Sequence, residues 1–222
     1  MGVYIPSSGP GDWQQFLAVP EKQWRDGYSA KSLAESWEGA RGIPREVEAL
    51  LEAIEPEPRL LFAFPEHKVP LPGASRGESQ NDIFAMVRTR SLTICVTIEG
   101  KVDEPFDRRL SDWLKNASPG KLERLNFLAA SLGLDAAMIP GTIHYQLLHR
   151  TVSALIEADR FKADAAAIIV HSFSPTRKWF EAYAAFCRLL STEPEPDRLY
   201  LAQTQTKRPL YVGWASGDLA RL

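Results

Sequence analysis

The chain has 222 residues, of which 45% are hydrophobic and 24% charged, a balance typical of globular proteins and unlike that of disordered chains. With 26 Lys plus Arg against 28 Asp plus Glu, the formal net charge is −2, so no global basic field marks it for nucleic acid or an anionic membrane surface. The N-terminal "MGVYIPSSGPGDW" lacks the basic and apolar regions of a signal peptide, and no apolar run approaches the roughly 18 residues that span a bilayer. Gly2 stands where N-myristoylation begins, but Ser7 misses the required hydroxyl position by one. A Pro/Gly-rich lead follows. "SAKSLAESWE" then offers Ser29 as an N-cap, with Leu33, Ala34 and Trp37 on one helical face. "PREVEALLEAI" places Pro44 in a first turn and Val47, Leu50, Leu51 and Ile54 at helical spacing. "EPEP" breaks the chain, and "RLLFAF" reads as a first strand.

Residues 70–81, "PLPGASRGESQN", read as a loop leading into the strands "DIFAMVRTR" and "SLTICVTIEGK". Helix signals return in "DRRLSDWLKNASPGKLERLNFLAASLGL": Ser118 and Pro119 start its second helix and Gly133 ends it. "IHYQLLHRTVSALIEADRF" is an amphipathic helix and "AAAIIVHSF" a fully buried strand. "SPTRKWFEAYAAFCRLL" reads as a helix capped by Ser174, and "PLYVGW" as a last strand. The order predicts an α/β protein with a mixed central sheet flanked by helices. A single domain is expected over 1–222, with a helical lead at 1–43, a core at 44–173 and a C-terminal helix and strand at 174–222. Cys95 and Cys187 lie in separate apolar runs without zinc-type spacing and read as buried free thiols, which points to a cytoplasmic location.

The chemistry concentrates in "TICVTIEGKVDEPF". Alternation along a strand puts Thr93, Cys95, Thr97, Glu99 and Lys101 on one face and Leu92, Ile94, Val96 and Ile98 on the other. Charges beside a core need a partner or a task, because an unpaired buried ion costs several kcal/mol. Asp82 heads the preceding strand, and antiparallel pairing would bring it beside Glu99 and Lys101. Two carboxylates there would make a hard oxygen site of the kind that Mg²⁺ accepts.

This arrangement resembles the PD-(D/E)XK nuclease superfamily, the restriction-endonuclease-like proteins, whose core strings a helix, three strands, a helix and a strand. The superfamily places an Asp on the second strand and (D/E)-x-K on the third. The resemblance covers roughly residues 44–173 and implies Asp82 and Glu99 as metal ligands, with the Gly100 carbonyl as a third. It implies Lys101 as the group that orients the attacking water and stabilises charge on phosphate, Mg²⁺ or Mn²⁺ as cofactor, and nucleic acid as partner. Asn81 stands where the family often has Pro. The blocks "FAFPEHKVPLPG", "SQNDIFA" and "EGKVDEPF" are also similar to those of bacterial proteins of unassigned activity, which implies none here. Two functions are therefore expected: a Mg²⁺-dependent phosphodiesterase, or a catalytically silent nuclease-like module that binds a protein or nucleic-acid partner.

A chain with 28 acidic residues meets the acid-x-Lys triplet by chance, and does so again at Glu66-His67-Lys68, which lacks an acid-headed strand just before it. Gln146 and Arg150 share a helix face and could touch phosphate or the metal shell, against the alternative of a solvated face. Glu48 and Glu52 are candidates for a third carboxylate. His144 and His149, five apart, do not have zinc spacing, and His171 reads as a strand-end histidine. Gly73-Ala74-Ser75-Arg76-Gly77 fits the G-x-S-x-G elbow in letters but sits in a loop. Arg76, Arg88, Arg90, Arg108, Arg109 and Arg150 would form a basic patch if they cluster.

Overall fold

A computed structural model describes residues 7–73 and 77–221. Gly2 and Ala74–Arg76 therefore lie outside the described residues. In chain order the elements are a 3-10 segment Pro10–Phe16, α1 Pro20–Gln23, α2 Ser29–Ala40, α3 Arg45–Glu52, β1 Arg59–Pro70, β2 Glu78–Arg88 and β3 Thr93–Lys101. Then come α4 Leu110–Trp113, α5 Pro119–Ser131, α6 Tyr145–Arg160, β4 Ala165–Ser172, α7 Phe180–Leu189, β5 Leu199–Leu201 and β6 Leu210–Ser216. The six strands form one mixed sheet in the order β1-β2-β3-β4-β6-β5. β1, β2 and β3 pair antiparallel, β4 joins β3 in parallel after the α6 crossover, β6 runs parallel to β4, and β5 closes the edge antiparallel.

Hydrophobic alternation sets the two layers. Phe84, Met86, Cys95, Ile168, Val170 and Trp214 pack with residues of α5, α6 and α7 on one face. Ile83, Ala85, Ile94, Val96, Ile98 and Ile169 pack with Leu33 and Trp37 of α2 and Val47 and Leu50 of α3 on the other. β4 is buried throughout, as its continuous apolar run requires of a strand covered on both faces. Both cysteines are buried and free, and burial pushes each thiol up to about 12.

Several boundaries differ from expectation. β2 begins at Glu78, so Asp82 lies inside the strand; the expected loop shrinks because Glu78, Ser79, Gln80 and Asn81 pair with Pro70, Val69, Lys68 and His67 of β1 as a hairpin arm. Tyr28, not Ser29, is the residue before α2, and the Ser29 N–H is held by the Glu104 carboxylate at 2.8 Å. Pro44 likewise stands just before α3. Ser174 does not open α7: its hydroxyl accepts from the Lys178 N–H at 3.1 Å in a local turn, and the helix starts at Phe180 after Trp179 in the left-handed region. Ser118 does cap α5, and Gly133, with φ +68°, lies just past its end. The helical turns before Ser29 and the short β5 have no periodic signal in sequence.

The β1–β2 loop is tied down by one side chain. Arg124 of α5, 6% exposed, donates from Nε to the Pro72 carbonyl at 3.0 Å and from Nη2 to the Gly73 and Gly77 carbonyls at 2.6 and 3.1 Å. Charge-assisted bonds of this kind are worth more than neutral ones. Arg124→Met keeps the stem but leaves these carbonyls without their donor; urea unfolding should report a loss of about 2–3 kcal/mol.

Candidate active site

The ladder between β2 and β3 ends at Ile83 opposite Ile98. Beyond it the Gly100 N–H would be orphaned, and the Asp82 carboxylate takes it at 2.8 Å. Gly100 has a steric reason of its own: a Cβ there would lie 2.9 Å from Leu33 Cγ and 3.1 Å from Ser29 Cβ, because α2 packs against the strand end. Glu99 and Lys101 point to the other side, toward α6. The Lys101 ammonium lies 2.5 Å from Glu99 Oε1 and 3.1 Å from the Gly100 carbonyl, and 4.8 Å from the centre of the Phe106 ring. Arg150 of α6 donates from Nε to Glu99 Oε2 at 2.8 Å, while its Nη2 stands 3.7 Å from Asp82 Oδ1.

These groups line one cavity of about 400 Å³, together with Glu66, Gln80, Gln146, Glu104, Asp107 and the lead residues Ala18 and Gln23. Glu66 was not expected there. It lies between Pro65 and His67, which pair with Ile83 and Asn81, so the hairpin register sets it across from Asp82. Its backbone sits at φ +52° in the left-handed region, a conformation that costs of order 1 kcal/mol or more for a non-glycine residue. Gln80 Nε2 donates to Glu66 Oε2 at 2.6 Å. Only the register of β1 on β2 could have revealed this third carboxylate. Glu48 and Glu52 sit on α3, across the sheet from this cavity, and do not line it.

α6 is held in place by a polar seam. Ser79 Oγ meets His149 Nδ1 at 2.8 Å, Ser153 Oγ donates to Asn81 Oδ1 at 2.7 Å, and Thr97 Oγ1 donates to the Arg150 carbonyl at 3.3 Å. Burial, with the Arg150 and Arg124 charges, holds His149 well below its ordinary pKa. The Gln146 side-chain oxygen accepts from the Asp107 N–H at 3.1 Å. His144 meets the Asp107 carbonyl and His171 meets Glu46 at 2.7 Å, so each has a structural partner. Gly73 and Gly77 lie between β1 and β2, and Ser75, the nucleophile position of the G-x-S-x-G match, lies outside the described residues.

Among the described residues, the basic candidates do not form one patch. Arg88 and Arg90 lie at the far end of β2, Arg150 is buried, and Arg108 and Arg109 are exposed beyond β3. Arg90 is paired with Glu57 at 2.9 Å, and Arg76 lies outside the described residues.

Burial and the neighbouring Glu99 charge push Asp82 up to about 7; burial and Asp82 push Glu66 up to about 8. Burial also raises Glu99, but Lys101 and Arg150 outweigh it and leave this carboxylate lowered. Unfolded carboxyls titrate near ~4, so between pH ~6.5 and ~8 the folded chain binds more protons than the unfolded one and stability falls as pH rises. His149 and Glu99 act in the opposite sense, at lower pH. Urea unfolding should show this decline in metal-free protein, reduced in Asp82→Asn; a rise over the same window would contradict the coupling.

Among the described residues, no group of three or more His, Cys, Asp or Glu is arranged to hold a metal ion. Asp82, Glu99, Glu66 and the Gly100 carbonyl are hard oxygen donors of the type that Mg²⁺ and Mn²⁺ accept, but they are not so arranged, and Lys101 and Arg150 already engage both Glu99 oxygens.

The fold and cavity thus define an α/β protein with a charged site where two antiparallel strands run out beneath a crossover helix. The chain belongs to the family described as a domain of unknown function (DUF6946), whose model matches residues 6–219. No curated protein and no solved structure matches it. Among the described residues, no helix is long and apolar enough to cross a membrane.

Proposed function

We propose that this protein is a Mg²⁺- or Mn²⁺-dependent phosphodiesterase acting on nucleic acid, built on a restriction-endonuclease-like core. The observation that carries the reading is the meeting of Asp82, Glu99 and Lys101 around one cavity, at the ends of paired strands. Asp82, Glu99 and the Gly100 carbonyl would hold the cation, with Glu66 a further oxygen donor. Such a cation supplies Lewis-acid polarisation of a phosphoryl oxygen. Lys101, buried and paired with Glu99, would orient water and stabilise negative charge on phosphate. Gln146, whose oxygen accepts from the Asp107 N–H, would donate from its amide nitrogen to a phosphate oxygen. The two unpaired thiols favour a cytoplasmic setting for this activity.

A second reading is supported by a specific observation. Glu104 and Asp107 add acidic charge to the cavity, and Arg150 fills the space between the carboxylates, as in a silent module whose ions serve only the fold. Incubation with single- and double-stranded DNA and RNA, with Mg²⁺, Mn²⁺ or chelator, separates the two. The phosphodiesterase cuts at least one polymer, and only with metal. No cleavage of any of them, with metal or with chelator, favours the silent module.

A further inference from the structure

Arg150 is the least explained group in the cavity. It is 8% exposed, its Nε bonds Glu99 and its Nη2 approaches Asp82, yet its buried Nη1 has no hydrogen-bond partner among the described residues. A buried guanidinium with an unused donor costs free energy that a purely structural ion pair would avoid. Its backbone carbonyl accepts from the Thr97 hydroxyl at 3.3 Å, so the helix is anchored while the head of the side chain bridges two acids. That head stands between the two carboxylates that would bind a cation.

We propose that Arg150 is the resident cation of this site, and that a divalent metal binds only by displacing its guanidinium from Glu99; this rests on the metal-dependent reading above. Two cations cannot share the same carboxylate oxygens at full strength, so Arg150 lowers metal affinity by competition. Once displaced, the guanidinium keeps its position beside the cavity through its α6 backbone, with its donors directed at an incoming phosphate oxygen. Arg150 then changes partner on metal loading, from Glu99 to phosphate.

Calorimetric titration of Mn²⁺ into wild type and Arg150→Gln tests this without any substrate. The variant should bind Mn²⁺ at least about tenfold more tightly. Equal or weaker binding by a folded variant overturns the displacement while leaving the metal reading intact. If neither protein binds Mn²⁺, both fall; if the variant binds tightly and cuts nothing, the displacement stands and the phosphodiesterase does not. Wild type provides an independent check should the variant fail to fold. In ¹⁵N-labelled protein, the Arg150 Nε–H resonance should shift and exchange faster as Mg²⁺ saturates the site. A resonance that stays unchanged at saturation overturns the proposal.

Discussion

Lys101→Ala should abolish turnover while leaving the sheet intact, with a loss of about 10²- to 10⁴-fold, the range for removing one proton-transfer or charge-stabilising group. The side chain is 4% exposed and held by Glu99 and the Gly100 carbonyl, with the Phe106 ring beside its ammonium. Removing it also frees Glu99 Oε1. Metal should therefore bind Lys101→Ala at least as well as wild type, so lost turnover with retained Mn²⁺ binding isolates a chemical role. Glu99 keeps Arg150 and is not left alone in the core, which limits the structural cost. Lys101→Met, which keeps most of the aliphatic stem, should show the same loss in rate with a smaller loss in stability. Unchanged turnover in both variants would remove Lys101 from the chemistry.

Phe84→Ala should be the most damaging single truncation near the site. Phe84 is fully buried two residues after Asp82, and its ring stacks with His67 at 4.9 Å and Phe161 at 5.7 Å between centroids. Phe62 and Phe64 of β1 complete the cluster at 6.2 and 6.4 Å. Loss of a buried aromatic ring and the cavity it leaves costs about 3–5 kcal/mol, a large part of the about 5–15 kcal/mol of a typical domain. Denaturant unfolding measures this directly. Because β1 reaches Asp82 through this cluster, the midpoint of Mn²⁺ binding should also weaken. A stability change below about 1 kcal/mol would show that the β1 arm carries little of the fold's cooperativity.

Much of the architecture could be read from residue patterns, because burial on both faces leaves a strong imprint. The run "AAAIIVHSF" could hardly be anything but a central strand, and the alternation in β3 put Glu99 and Lys101 on the α6 face that they occupy. Leu33 and Trp37 gave α2 its stripe in the same way. Information was lost where structure depends on partners distant in sequence. The arm Glu78–Asn81 read as loop because its residues are polar; it is a strand only because β1 pairs with it and α6 bonds Ser79 and Asn81. Glu66 was passed over for the same reason, since its place follows from hairpin register and a left-handed backbone, neither of which has a local signature. Ser174 misled because a Ser-Pro pair also suits a simple turn. Arg150 was recognised as sharing a face with Gln146, but no spacing rule could say that its guanidinium would lie between Asp82 and Glu99.

The most direct measurement is anomalous diffraction from a crystal of the wild-type protein equilibrated with Mn²⁺. One strong peak should appear in the cavity within about 2.0–2.6 Å of oxygens from both Asp82 and Glu99, with Arg150 turned away from Glu99. No peak at saturating Mn²⁺, with Arg150 still bonded to Glu99, would contradict the proposed metal site.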